Sequence, residues 1–103
     1  MIYLGLNISY KKIMKIKEGF ILRQVAGSHI VIGVGGDAVD FNGMVTINDT
    51  GVFLWNLLEA GCTKEELLAK FLEEYDIDVE TAKTDIAEFL TKLLQANILN
   101  LDG

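Results

Sequence analysis

Three features of this 103-residue chain have the residue types that chemistry needs: His29, Cys62 and the run Gly33-Val34-Gly35-Gly36. A glycine-rich loop cradles phosphate when it joins a strand to a helix N-terminus. Here the glycines lie between two stretches rich in β-formers and no Lys-Ser/Thr pair follows, so no nucleotide site is expected. His29 is the single histidine and Cys62 the single cysteine. Neither has the neighbours that would complete a nucleophile–base pair or a metal set. Glu73, Glu74, Asp76 and Asp85 read as solvated or capping side chains, and no paired carboxylate stands out. The chain therefore reads as no enzyme, with no metal and no cofactor. What remains is main-chain hydrogen bonding, and its place is Met44-Val45-Thr46-Ile47.

Composition bounds the rest. The length suits one small domain, and an apolar share of 50% is enough to fold it. A lone cysteine forms no internal disulfide and fits a reducing cytoplasm. The first twenty residues carry an apolar run, but the lysines follow it, no cleavage site is visible, and it falls short of the ~20 residues of a membrane span. The expectation is a soluble, cytoplasmic protein without membrane contact. Met14 opens MKIKEGF and is an alternative initiator, which would make residues 1–13 an upstream misassignment or an added arm; the division expected is an N-terminal arm over 1–16 and a domain over 17–103. Charge is uneven. Residues 1–42 carry five cations and three anions, a balance of +2; residues 43–103 carry four and twelve, a balance of −8. The acidic part is unfavourable for phosphate contact.

Residues 20–25 and 28–34 are rich in β-formers and flank Ala26-Gly27, which reads as a β-hairpin. Gly35-Gly36-Asp37 and Asn42-Gly43 break the chain before a third strand at 44–47. Asn48, Asp49 and Thr50 are helix-starting residues, and the helix they open is apolar on most sides as far as Gly61. Thr63 and Glu66 fit a capping box before the second helix. Asp78 can cap the third, whose stripe is Ala82, Ile86, Phe89, Leu90, Leu93 and Leu94. Ile98-Leu99 reads as a short apolar tail. Three strands followed by three helices indicate an α+β domain.

A helix that is hydrophobic on most sides must be covered on most sides. Trp55 is then the central core residue, with the first helix held between the sheet and the other two helices. A three-stranded sheet also has two edges, and Val45-Thr46-Ile47 carries no lysine or proline to blunt one of them. Such an edge is either an aggregation hazard or a docking site for an extended peptide, unless the chain itself covers it, for which the β-prone arm Ile2–Ile8 is available.

Taken in order, Arg23, Ile47-Asn48-Asp49-Thr50-Gly51 leading to Trp55, Gly61 before Thr63-x-x-Glu66-Leu67, Tyr75-Asp76, and Asp85 followed by Phe89 and Leu93 resemble the PqqD family over residues 17–101. These are small pyrroloquinoline quinone biosynthesis D-type proteins, also called precursor-peptide recognition elements. The resemblance implies a winged helix-turn-helix-like fold, with a three-stranded antiparallel sheet followed by a three-helix bundle, and a non-catalytic role. Such domains bind the leader segment of a ribosomally made precursor peptide as an added strand on the third strand, and present it to a modifying enzyme, often a radical SAM protein. The peptide-binding residues it implies here are Met44, Val45, Thr46 and Ile47, facing Ile86, Phe89, Leu90 and Leu93 of the third helix, with Lys83 and Lys92 at the rim. The partners implied are the leader peptide and that enzyme; a homodimer is left open. The alternatives are a DNA-binding winged helix, disfavoured by Glu80, Asp85 and Glu88 against two lysines on the third helix, and a purely structural interaction module.

Overall fold

The computed structural model describes residues 12–39, 41 and 43–102. Among these residues five strands and three α-helices follow in the order β1 (Ile13–Ile16), β2 (Phe20–Val25), β3 (Ser28–Gly33), β4 (Val45–Ile47), α1 (Asp49–Ala60), α2 (Lys64–Glu74), α3 (Val79–Gln95) and β5 (Leu99–Asp102), with one 3₁₀ turn at Gly36–Ala38. The expected core of the architecture, a three-stranded antiparallel sheet followed by three helices, is present.

The hairpin forms because its turn residues allow it. Ala26 and Gly27 have φ of 52° and 83°, the doubly positive pattern of a turn whose twist matches that of the flanking strands. The register runs from Val25↔Ser28 to Phe20↔Gly33. The glycine run beyond β3 has a packing role. Gly19, at φ 96°, lies so close to Gly35 that a Cβ would collide with the Gly35 carbonyl. Val34 N donates to Gly19 O at 2.7 Å and Asp37 N to Glu18 O at 2.9 Å, which closes the open end of the hairpin. β3 then pairs antiparallel with β4, Ile30 opposite Thr46, so the sheet order is β2-β3-β4. Met44, expected in the third strand, lies just outside it.

The helices start where their caps stand. Asn48 accepts from Gly51 N, and Thr63 and Glu66 exchange side-chain and backbone bonds at 3.1 and 2.9 Å. Asp78 occupies the N-cap position of α3 without closing a side-chain cap bond. The nearby Thr81 hydroxyl and, less strongly, backbone N–H groups still hold its carboxyl below the usual range. α3 ends with Asn97 at φ 61°, Ile98 N bonded to Leu93 O and Asn97 N to Leu94 O. Those two bonds turn the chain back on itself.

That reversal builds an element the sequence reading did not contain. Ile98-Leu99, read as an apolar tail, leads into β5, which pairs antiparallel with β1, Ile16 opposite Leu99 and Ile13 opposite Asp102. On its other side β1 meets the α1–α2 connection, where Met14 and Cys62 exchange backbone bonds at 2.8 and 3.1 Å. Met14 and Ile16 are buried in the common core. The inner end of the expected arm over 1–16 is thus a core strand, and the proposed cover Ile2–Ile8 lies outside the described residues. Trp55 is fully buried, as expected, among Leu54, Leu58, Leu67 and Leu93. No helix of the described residues is long and apolar enough to cross a membrane.

Candidate functional site

β4 is the last strand of its sheet, so among the described residues one side of Val45–Ile47 has no strand partner. Side chains alternate along it as a pleat requires: Val45 is half-buried, Thr46 exposed and Ile47 buried. Met44, directly before it, is 70% exposed. The edge therefore offers main-chain groups with apolar side chains beside them.

A cleft of about 240 Å³ opens where β4 runs into α1 and both face α3. Its apolar lining is Ile47, Leu54 and Phe89, with Asn48, Thr50 and Gly51 of the α1 start on one side. Asp85, Glu88 and Lys92 of α3 stand on the other. Residues 85, 88, 89 and 92 share a face because three- and four-residue steps return to one side of a helix. Two carboxylates and one ammonium leave this lip net negative. The ammonium is engaged: Lys92 Nζ donates to Thr46 O at 3.0 Å. The lysine that blunts the edge thus comes from 46 residues further along the chain, not from the strand.

The ten residues expected at the peptide site separate into groups, Lys92 being the cleft residue bonded to Thr46. Met44, Val45 and Thr46 line the edge, and Ile47 and Phe89 meet in the cleft. Leu90 and Leu93 are core residues, 7% and 0% exposed. Ile86 is buried at 2%. It forms the floor of a second groove, about 490 Å³, on the α2 side of α3, with Lys64, Glu65, Leu68, Lys83 and Ala87. Lys83 lies there, 4.0 Å from Glu80. The sequence reading did not place Asn48, Thr50, Gly51, Leu54, Asp85 or Glu88 at the site. The spacing of 85 and 88 to Phe89 and Lys92 was the available signal.

His29 Nε2 lies 3.2 Å from Asp49 Oδ1, an ion pair when the imidazole is protonated, which ties β3 to the start of α1. Burial pushes the Cys62 thiol up, with the charge of Glu66 adding to it, the reverse of what a reactive thiolate needs. Among the described residues no group of three or more His, Cys, Asp or Glu side chains is gathered.

The family model of coenzyme PQQ synthesis protein D (PqqD) matches residues 20–99. No curated protein matches the chain. Among solved structures, "TbiB1 in Complex with the TbiA(beta) Leader Peptide" matches with a TM-score of 0.68 at 22% identity. The match covers 84% of this chain and 94% of that one. The two share a fold. β1 lies outside the residues matched by the family model.

Proposed function

The chain belongs to the PqqD family, and from that membership we propose that it is a peptide-binding module for the leader segment of a ribosomally made precursor peptide. The leader adds as a strand to the free side of β4 and lays one or two apolar side chains into the cleft against Phe89 and Leu54. Backbone pairing along the edge supplies affinity with little side-chain choice, and the cleft supplies specificity. The chain itself carries out no catalysis; it presents the bound precursor to a modifying enzyme, of the radical SAM type in the reading the family suggests.

The observation that carries this reading is the side of β4 that, among the described residues, has no strand partner and lies directly beside the cleft. The solved structure that shares the fold holds a leader peptide, which supports the same use here. A nucleic-acid role fits the surface less well, since Glu80, Asp85 and Glu88 are exposed along α3 and Lys92 is already bonded.

Energetics set the expected range. A buried apolar leader side chain contributes about 1.5–3 kcal/mol, and ordering a flexible peptide takes back part of the gain. A net near 8 kcal/mol, micromolar, leaves the peptide free to depart after modification. The test is a calorimetric titration with synthetic leader segments of the short reading frames encoded beside this gene. Wild type binds one of them; Thr46→Pro, which removes a strand donor, does not, while its helical circular dichroism is kept. Equal affinity in the two proteins rejects the β4 edge as the site.

A further inference from the structure

Among the described residues, the outer edge of β4 is occupied at one point. Lys92 reaches across from α3 to the Thr46 carbonyl, at the centre of the three-residue strand. A charged donor on a main-chain acceptor is stronger than a neutral hydrogen bond. Any strand that adds to this edge must take the same carbonyl. We propose that Lys92 is a displaceable plug: it keeps β4 from pairing with a second copy of this chain, and it steps aside for the guest strand. The guest's identity rests on the leader-peptide reading; the guarding role does not.

Self-pairing is the hazard such an edge carries. Two copies related by a twofold axis through Thr46 would exchange N–H···O bonds between their Thr46 residues, the reciprocal pair of an antiparallel ladder. Exposed Met44 and half-buried Val45 would add apolar contact beside the axis. The carbonyl this pairing needs is the one Lys92 holds. The same symmetry would also bring two ammonium groups together, and like charges set face to face disfavour the pair.

Release has a structural route. Glu88 stands four residues before Lys92 on α3, and both line the cleft. Glutamate four residues N-terminal to lysine is the favourable order for a helical ion pair. A displaced ammonium therefore exchanges a carbonyl for a carboxylate and is not stranded. A leader strand offsets the exchange by filling the cleft with its side chains. A second copy brings only another short strand.

The test is sedimentation velocity of the full chain over a concentration series, with far-ultraviolet circular dichroism to confirm folding. Lys92→Met keeps the aliphatic stem and removes the donor and the charge. It is expected to self-associate at concentrations about tenfold lower than wild type. Lys92→Arg keeps a cationic donor and is expected to sediment as wild type. Adding Thr46→Pro to Lys92→Met is expected to abolish the association. The proposal is overturned if Lys92→Met sediments as wild type does, or if the double variant associates as strongly as Lys92→Met. Failure of every leader segment to bind would remove the peptide reading and leave these outcomes standing; unchanged sedimentation with intact peptide binding would do the opposite.

Discussion

Gly51 and Phe89 touch where α1 leaves β4: a Cβ on Gly51 would stand 3.0 Å from Phe89 Cε1, and 3.2 Å from both Asn48 Oδ1 and Ile47 Cβ. The missing side chain lets α3 approach the strand closely enough for Phe89 to wall the cleft and for Lys92 to reach Thr46. Gly51→Ala gains about 1 kcal/mol of helix propensity and incurs about 1–3 kcal/mol of overpacking. The expected net is a loss of about 1 kcal/mol, read from urea unfolding, with weaker leader binding. A variant more stable than wild type would mean the contact yields freely.

Ala26 holds a positive φ in the hairpin turn, a conformation that asparagine adopts more readily than alanine. Ala26→Asn is expected to stabilise the fold by about 0.5–1 kcal/mol, seen as a higher melting temperature. Leader affinity should not change, because the added strand pairs on the side of β4 that faces away from β2 and β3, the two strands the turn joins.

Thr63 and Glu66 each satisfy the other's backbone N–H at the start of α2. Thr63→Ala is expected to lose about 1 kcal/mol. Because the two bonds form one unit, Thr63→Ala with Glu66→Ala should lose less than the sum of the single losses. Strict additivity in a double-mutant cycle would contradict a shared capping box.

Cys62 is a buried thiol whose folded pKa lies above its ordinary 9.0, chiefly because burial disfavours the thiolate. The fold binds the proton more tightly than the unfolded chain does. Its contribution to stability is therefore complete below the ordinary value and is lost as pH rises past it toward the folded value. Melting temperature should fall on the alkaline side in wild type and fall less steeply in Cys62→Ala. At neutral pH, iodoacetamide should label the thiol only after denaturation.

Local signals carried most of the fold. Ala26-Gly27 specified the hairpin; Asn48 and Thr63 marked helix starts; and the third-helix stripe gave α3 its buried face. The β1–β5 sheet was not legible. Each strand has four residues, too few for alternation to stand out, and the pairing joins the two ends of the domain. At the site, the free edge could be read from the strand count. The residues facing it could not, because periodicity identifies a stripe without saying which border meets which neighbour. Leu90 and Leu93 are turned inward, Ile86 and Lys83 face α2, and of that set Phe89 and Lys92 line the cleft. The resemblance placed Lys92 at the rim, but its bond to Thr46 is not legible in the sequence, because the lysine lies on a helix 46 residues from the strand.

The most direct measurement of where a leader binds is nuclear magnetic resonance of the isotopically labelled chain, titrated with whichever leader segment proves to bind. Amide and carbonyl shifts should concentrate at Val45, Thr46 and Ile47, with the Lys92 side chain moving in step. Contacts between the peptide and Thr46 should show an added strand. Shifts confined to Leu68 and Ala87 in the α2–α3 groove, or to the outer edge of β2, with Thr46 unmoved, would contradict strand addition at β4.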